Sequence, residues 1–195
     1  PGEATLSWPN IRFTTGRTEG GWAGDQIGLI VPTSLCAGQI AQMIAEKLNR
    51  ATGPGSPSRN GVTRHVALAH TEGCGVSRGE SERLFLRTLV GYLCHPFVRR
   101  GLLLEHGCEK THNDELRAYL AEHQIDQSRF GWASIQMDGG IDRVTAKVMD
   151  WFQRPADQHG EVKRQPAGWE ALRLGLLADG PVPETIAAAF ARITR

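Results

Sequence analysis

The chain has 195 residues, of which 40% are hydrophobic, and its 22 basic and 21 acidic residues give a formal net charge of +1. This length and composition suffice for one good core but not for two full domains. The balanced charge provides no basic field for nucleic acid, so we expect a small-molecule partner and no nucleic-acid partner. No apolar run approaches the roughly 20 residues that span a bilayer, and no signal-peptide pattern is present. We therefore expect a cytoplasmic protein without a membrane partner.

Alternating strand and helix patterns predict an α/β fold. Residues 1–25 lack periodicity and are interpreted as an irregular N-terminal arm. Four strand–helix units follow, with strands predicted at 27–32, 65–69, 101–104 and 130–137, and helices at 37–49, up to about 94, 114–123 and 141–152. Such units predict a three-layer α/β/α domain over 26–154, with a mainly parallel sheet of flavodoxin-like or Rossmann-like type. Residues 155–195 are interpreted as a linker and C-terminal helices, at 170–178 and 184–193.

Two helix starts carry capping signals. Ser77 and Glu80 are three residues apart, a spacing that predicts a capping box before the second helix. Asn113 is predicted to cap the third helix. Both signals place a helix directly after the loop that follows a strand.

Three of the four cysteines follow predicted strands at equivalent positions: Cys36, Cys74 and Cys108. The carboxyl ends of neighbouring parallel strands share one crevice, so we expect these side chains to converge there. Thiolates select zinc, iron or an iron–sulfur cluster, and three of them leave a coordination position open for a substrate oxygen. No local Cys-x-x-Cys motif is present, so the metal hypothesis depends on the predicted fold. Cys94 falls in a predicted helix and is interpreted as a buried structural residue.

Histidines and carboxylates near the same strand ends are candidate proton carriers. His70 lies four residues before Cys74, and His106 lies two before Cys108, so either can act as a base or a ligand. Glu72 or Glu109 could orient such a histidine. His65, by contrast, is expected at the surface.

An amide, a carboxylate and a helix start follow the fourth predicted strand, at Gln136, Asp138 and Gly139-Gly140. A helix N-terminus can bind a carboxylate or phosphate through its unpaired amides. A Gly-Gly pair also occurs in ordinary turns, so this signal is weak by itself.

Five short motifs occur in a fixed order between residues 16 and 150. They are Pro32-Thr33-x-x-Cys36, His70-x-x-Gly73-Cys74-Gly75, His95-Pro96, Gly107-Cys108-Glu109 and Gln136-x-x-Gly139-Gly140. Together they resemble the altronate and galactarate dehydratase family, specifically its central α/β domain. The resemblance implies a hydro-lyase that removes water from a sugar acid such as altronate or galactarate to give a 2-keto-3-deoxy acid.

The resemblance also implies a cofactor and roles for individual residues. The cofactor is a divalent metal, with iron the first candidate, or an iron–sulfur cluster, and Cys36, Cys74 and Cys108 are its expected ligands. The expected catalytic residues are His70, as the preferred proton carrier, with Glu72 and Glu109. The residues expected to bind substrate hydroxyls and carboxylate are Thr33, Ser34, Gln136, Gly139 and Gly140.

The chain departs from the family pattern at three sites. Asp25-Gln26 stands where the family has Arg-Asn, Ala37 replaces a Ser, and Phe97 replaces an Asn. Family members also continue into a larger C-terminal domain, so a homo-oligomer, a second domain or a second subunit is expected to complete the site. The departures motivate an alternative function, a non-catalytic ligand-binding or regulatory module derived from the family. A module for a phosphate-bearing cofactor is disfavoured because no G-x-G-x-x-G or P-loop follows any strand.

Overall fold

The structure, a computed structural model, describes residues 10, 12–18, 20–52, 61–155, 162–173 and 175–193. Its strands are β1 (Phe13–Thr18), β2 (Gly21–Ala23), β3 (Ile27–Pro32), β4 (Arg64–Ala67), β5 (Val98–Glu105), β6 (Phe130–Ser134) and β7 (Arg164–Ala167). Its α-helices are α1 (Leu35–Thr52), α2 (Gly79–Leu93), α3 (Asn113–Glu122), α4 (Ile141–Gln153) and α5 (Glu184–Ile193). Short 3-10 helices occupy Gln127–Arg129 and Trp169–Ala171.

The central sheet is parallel and has four strands in the order β4-β3-β5-β6. Side chains of β3 alternate between its two faces. Ile30 packs with Leu102 against α1 and α4, whereas Leu29 packs with Leu103 against α2 and α3. A strand covered by helices on both faces has no solvent-facing side, which explains the continuous apolar run of β3. The predicted three-layer α/β/α fold is confirmed.

A second, antiparallel sheet, in the order β2-β1-β7, joins strands that precede the central sheet to one that follows it. The prediction of an irregular arm over 1–25 is wrong for residues 13–18 and 21–23, which form β1 and β2. Residues 1–9, 11 and 19 of that predicted arm lie outside the described residues. β1 pairs with the neighbouring β2 and also with β7, which is remote in sequence, so part of the pairing that makes this segment a strand has no local sequence signal.

The C-terminal region differs from its prediction in one of two helices. The predicted helix over 170–178 is wrong, because among the described residues of this range, which omit 174, only the 3-10 turn at 169–171 forms. Gly175 lies inside this stretch, and Gly180 and Pro181 follow it; Gly180 has φ +108°, which is unfavourable for other residues. The helix predicted at 184–193 is confirmed as α5. Of the helices described, none is both long and apolar enough to cross a membrane.

Both capping predictions are wrong in detail. The N-cap of α2 is Arg78, at φ 60°, and its side chain makes no capping hydrogen bond; its backbone N–H instead donates to the Glu82 carboxylate at 2.9 Å. The N-cap of α3 is His112, which forms the capping box with Glu115. Asn113 is buried and donates through Nδ2 to the Ala133 carbonyl at 3.1 Å, so it joins α3 to β6 rather than capping the helix.

His65 is buried, contrary to the expected surface position. It lies in β4 opposite Gly28 of β3, and its ring meets the Phe152 ring edge-on at 5.0 Å between centroids. Neither ring nitrogen has a hydrogen-bond partner among the described residues. Burial disfavours the charged imidazolium and lowers the pKa of His65 to about 4. The ring is therefore a neutral part of the core.

Candidate functional site

The connections of the central sheet create a crevice at the carboxyl ends of β3 and β5. After β3 the chain passes through α1 to β4 on one side, and it then returns across β3 to form β5 on the other. Ligands of open α/β sheets bind where the direction of strand addition reverses in this way. The turn after β3 also contacts the end of β5, since the Thr33 N–H donates to the Leu104 carbonyl at 3.0 Å.

Glu109 holds these two turns together. Its Oε1 accepts hydrogen bonds from the Thr33 hydroxyl at 3.0 Å and the Ser34 hydroxyl at 2.7 Å. Five donors surround the carboxylate in all, the other three being the backbone N–H groups of His106 (2.7 Å), Gly107 (2.7 Å) and Cys108 (3.1 Å). The side chain is buried, with 5% of the residue exposed. We call this arrangement the Glu109 clamp.

The clamp keeps the Glu109 carboxylate ionised. Burial raises the pKa of this carboxyl, but the His106 N–H, the Ser34 hydroxyl and the Gly107 N–H outweigh that effect and lower the pKa to about 2. A carboxylate with such a low pKa and five donors is a poor proton acceptor. Its hydrogen bonds make it a positioning residue, and they include neither the His70 ring nor the His106 ring, either of which it could have oriented.

The three strand-end cysteines stand around the clamp as free, exposed thiols. Cys36 is in the first turn of α1, Cys108 follows β5, and Cys74 lies in the loop after β4. That loop is attached to the Cys108 loop by a hydrogen bond from the Lys110 N–H to the Cys74 carbonyl at 2.9 Å. Partial desolvation, the Glu109 charge, the neighbouring Cys74 and Cys36, and a side-chain hydrogen bond with Cys74 raise the pKa of Cys108. The Cys108 thiol therefore lies close enough to Cys74 and Cys36 to be influenced by both.

Cys94, which was interpreted as buried, is an exposed residue at the C-cap of α2. It precedes β5, and so it lies at the opposite edge of the sheet from the other three cysteines.

Two histidines reach this edge and are held differently. Nδ1 of His106 lies 3.2 Å from the Cys108 sulfur. In His70, Nδ1 accepts from the Glu72 N–H at 3.2 Å, so Nε2 carries the proton and donates to the Pro32 carbonyl at 2.8 Å. The Glu72 side chain is exposed. Backbone groups, rather than a carboxylate, therefore orient the His70 ring.

The donor chemistry at this edge fits a soft metal, because one helix start and two loops bring three thiols to the same edge of the sheet. The side-chain positions themselves do not form a ready-made site. No group of three or more His, Cys, Asp or Glu side chains in the described ranges is arranged to hold a metal ion. Binding at these sulfurs would therefore require side-chain rotation, which is accessible to exposed cysteines.

The residues expected to bind substrate occupy the same edge, but several of their donors are already engaged. Both Thr33 and Ser34 donate to Glu109. The backbone N–H groups of Gly139 and Gly140 donate to the carbonyls of Gln136 and Ile135, at 3.2 and 2.8 Å. The glycines are required by the turn, at φ +85° and +99°. The unpaired amides available to an anion are thus those of the first turn of α4, just beyond Gly140.

Gln136 lies against the Cys108 loop. A Cβ added at Gly107, where φ is +110°, would come within 3.0 Å of Gln136 Cβ and Oε1. The close contact explains why a glycine precedes Cys108 and places the Gln136 amide beside that loop.

A known family describes most of this region. The family model for the second domain of D-galactarate dehydratase/altronate hydrolase matches residues 23–158. The chain belongs to this family. No curated protein and no solved structure matches it. The matched range contains the whole central sheet, helices α1 to α4 and all three strand-end cysteines, while β1 and β7 lie outside it. Family membership, predicted from the five motifs, is confirmed and relates the chain to sugar-acid dehydratases.

Two of the three departures from the family pattern lie away from the cysteines, and the third, Ala37, directly follows Cys36. Asp25 and Gln26 precede β3, and Phe97 precedes β5, so all three are at the amino edge of the sheet. Asp25 pairs with Arg64 at 2.9 Å, and the Gln26 amide donates to the Pro96 carbonyl at 3.1 Å. Ala37 is fully buried against the core of α1 and α4. Of the three departures, Ala37 alone lies at the cysteine edge, where its buried methyl group packs into the core.

Arg143 is a candidate residue that the sequence reasoning missed. It lies in the first turn of α4, and a Cβ added at Gly139 would stand 3.0 Å from Arg143 Cδ and 3.1 Å from Nη1. Its exposed guanidinium is thus folded back over the Gly139-Gly140 turn at the helix N-terminus. The spacing Gly139-Gly140-x-x-Arg143 is the signal that could have found it. Asp138, also considered at the sequence level, instead accepts from the Ser134 N–H and pairs with Lys147.

Proposed function

We propose that this chain carries active-site residues of a hydro-lyase that dehydrates a sugar acid, such as altronate or galactarate, to a 2-keto-3-deoxy acid. The observation that carries the proposal is the Glu109 clamp, which joins the segment before Cys36 to the loop that contains Cys108. The clamp lies at the carboxyl ends of β3 and β5, where ligands of such sheets bind, in a chain that belongs to the dehydratase family. The loop bearing Cys74 is attached to them through Lys110.

The reaction needs a base and an electrophile. The proton α to a carboxylate is very weakly acidic, so its removal requires a proton acceptor and stabilisation of the developing enediolate. Cys36, Cys74 and Cys108 would hold a divalent metal, with iron the first candidate, or an iron–sulfur cluster. When bound, that group supplies Lewis-acid polarisation of substrate oxygens.

His70 is the proposed proton carrier. Its Nδ1 lone pair is occupied only by the hydrogen bond from the Glu72 N–H, at 3.2 Å, and becomes available when that bond opens. Nε2–H remains bound to the Pro32 carbonyl, whose oxygen stabilises the imidazolium that forms when Nδ1 takes a proton. Glu72, exposed beside His70, supplies negative charge near the ring, and Glu109 keeps the two central turns in place.

The other side of the crevice is suited to orient the substrate. Arg143 and the N-terminal turn of α4 present a guanidinium and unpaired amides to a carboxylate. The Gln136 amide, beside Gly107, is placed to hydrogen-bond a substrate hydroxyl. Four of the residues expected to bind substrate have a structural role in this proposal: Thr33, Ser34, Gly139 and Gly140. Their hydrogen bonds stabilise the two turns that carry the substrate-facing groups.

A second domain, a second subunit or another copy of the chain is proposed to complete the site. Three large apolar side chains are exposed around the cysteine edge: Leu35 at 54%, Met137 at 83% and Ile141 at 46%. Apolar side chains beside a polar crevice favour coverage by another polypeptide.

The test is the metal and acid-labile sulfide content of the full chain purified without oxygen, with turnover measured as release of a 2-keto acid from altronate or galactarate. We expect near-stoichiometric iron in the wild type and in Cys94→Ser, and loss of iron and turnover in Cys108→Ser. Sulfide in the iron-loaded protein would identify a cluster, and its absence a single ion. Metal-free, inactive protein after reconstitution would overturn the proposal in favour of a non-catalytic binding module.

A further inference from the structure

His106 and Cys108 place two potential metal donors side by side in the loop after β5. Nδ1 of His106 lies 3.2 Å from the Cys108 sulfur. When one ion binds a nitrogen at about 2.0–2.1 Å and a sulfur at about 2.3 Å in tetrahedral geometry, these two atoms are roughly 3.5 Å apart. The two side chains are therefore already spaced almost as two ligands of the same ion would be.

The backbone that carries this pair is held by the Glu109 clamp. The N–H groups of His106, Gly107 and Cys108 donate to the Glu109 carboxylate at 2.7, 2.7 and 3.1 Å. Gly107, at φ +110°, turns the chain between the two donors, and a Cβ there would come within 3.0 Å of Gln136. Because the loop is fixed before an ion arrives, little ordering of the backbone opposes binding.

We infer that His106 is a further ligand of the metal proposed at the cysteine edge, and that it binds through Nδ1 beside the Cys108 sulfur. The inference rests on the proposed function, because it assumes the metal of that proposal. The hydrogen bond between the two side chains places one proton between nitrogen and sulfur. A divalent ion takes the place of that proton, so binding at this pair releases the Cys108 thiol proton to solvent. The ionised Glu109 carboxylate adds negative charge near the cation.

The two histidines at this edge then have different roles. Both ring nitrogens of His70 are bound to backbone groups, since Nε2–H donates to the Pro32 carbonyl and Nδ1 accepts from the Glu72 N–H. His106 instead directs Nδ1 at a thiol. His106 is therefore suited to ligation, while His70 remains the proposed proton carrier.

A nitrogen ligand also favours a single ion over a cluster. Imidazole together with thiolates suits one iron, zinc or cobalt ion, whereas thiolates alone are the usual ligands of an iron–sulfur cluster. Recruitment of Cys36 and Cys74 to the ion requires side-chain rotation, because no three such donors are grouped among the described residues. A coordination position stays available to a substrate oxygen, because iron accepts more than four ligands.

The test uses Co²⁺ as a spectroscopic probe on the full chain, purified without oxygen and freed of metal by chelation. Thiolate ligation gives a sulfur-to-cobalt charge-transfer absorption, and imidazole ligation gives a hyperfine-shifted, exchangeable signal of the ring N–H in the proton NMR spectrum. We expect both in the wild type and in His123→Gln, at the exposed C-cap of α3. His106→Gln should keep the charge-transfer absorption, lose the imidazole signal and bind Co²⁺ at least about tenfold more weakly.

A second variant, His106→Cys, separates lost ligation from a disturbed loop. It returns a metal donor to this position, so it should regain most of the Co²⁺ affinity and increase the charge-transfer absorption. An imidazole signal that persists in His106→Gln, an unchanged Co²⁺ affinity in that variant, or no recovery in His106→Cys would overturn the inference and leave the metal proposal in place. Absence of the charge-transfer absorption in the wild type would overturn both.

Discussion

The Ser34 hydroxyl donates a hydrogen bond of 2.7 Å to the carboxylate of Glu109, a residue 75 positions further along the chain. The bond joins the turn after β3 to the loop after β5, the two central strands of the parallel sheet. Because Cys36 and Cys108 lie within two residues of its partners, the bond also sets how closely two of the proposed metal ligands approach. The geometry of the candidate site is thus controlled by a residue that need not contact substrate.

Replacement of Glu109 by Gln should destabilise the fold. The amide keeps one acceptor oxygen but directs an NH2 group at backbone N–H donors, which leaves donors buried without an acceptor. We expect a loss of about 1–3 kcal/mol in the free energy of unfolding, measured by urea denaturation. Glu72→Gln is the matched control, because that side chain is exposed at the same edge. Equal stability of the two variants would show that the clamp contributes nothing.

Burial of His65 should make the fold sensitive to acid. The pKa of His65 is about 4 in the folded chain against an ordinary value of 6.5, so the unfolded chain binds the proton first as the pH falls. The stabilisation is complete above pH 6.5 and is lost between 6.5 and 4. We expect a loss of about 2 kcal/mol over this window, after allowance for partial solvent screening.

The measurement is the free energy of unfolding at several pH values for the wild type and His65→Leu. The variant should lose the pH dependence in this window, while His123→Gln, at an exposed position, should retain it. A wild-type stability that is flat between pH 6.5 and 4 would contradict the buried neutral ring.

Gly28 should tolerate no side chain. A Cβ at this position would stand 2.6 Å from His65 Cδ2 and 3.0 Å from Phe152 Cε1, both in the core. We expect Gly28→Ala to cost about 1–3 kcal/mol in the free energy of unfolding. Gly91→Ala is a control of opposite sign: its Cβ would meet no atom within 4 Å in a helix, so a gain of about 0.5–1 kcal/mol is expected. A neutral or stabilising Gly28→Ala would show that the two rings do not fill this space.

Much of this architecture could be predicted from the sequence, for identifiable reasons. The four βα units were visible because β3 and the Leu102–Leu104 part of β5 are apolar runs bounded by turns. The shared position of the cysteines after the strands followed from the parallel arrangement. The burial of His65 could not be foreseen, because it depends on the register that places Gly28 opposite it. Likewise, the spacing predicted that Glu109 lies near the other site residues, but not that its carboxylate turns inward to five donors.

If His70 carries the proton, His70→Gln should reduce kcat by about 100-fold or more without changing metal content. Gln retains a polar side chain but cannot accept a proton at neutral pH. The control is His106→Gln, since Nδ1 of His106 is directed at the Cys108 sulfur. Turnover on altronate or galactarate and the metal content of each variant are the measurements. A larger loss in His106→Gln, with normal metal content, would transfer the role to that residue.

Arg143 should act on substrate binding rather than on chemistry. Removal of the guanidinium in Arg143→Met leaves α4 and its packing intact, because the side chain is exposed. We expect KM for a sugar acid to rise about tenfold, with kcat changed much less, as one charge-assisted contact is lost. Arg87→Met, on the exposed surface of α2, is the control. Equal KM values for the two variants would remove Arg143 from the substrate site.

The small sheet has a further consequence for the way this protein is built. Phe13 of β1 stands opposite Ala167 of β7, so the polypeptide approaches the α/β unit and departs from it at adjacent points. A unit of that shape can be transferred between longer proteins without stretching the chain on either side. The same pairing couples the two strands, so local unfolding of either β1 or β7 removes backbone hydrogen bonds that stabilise the other.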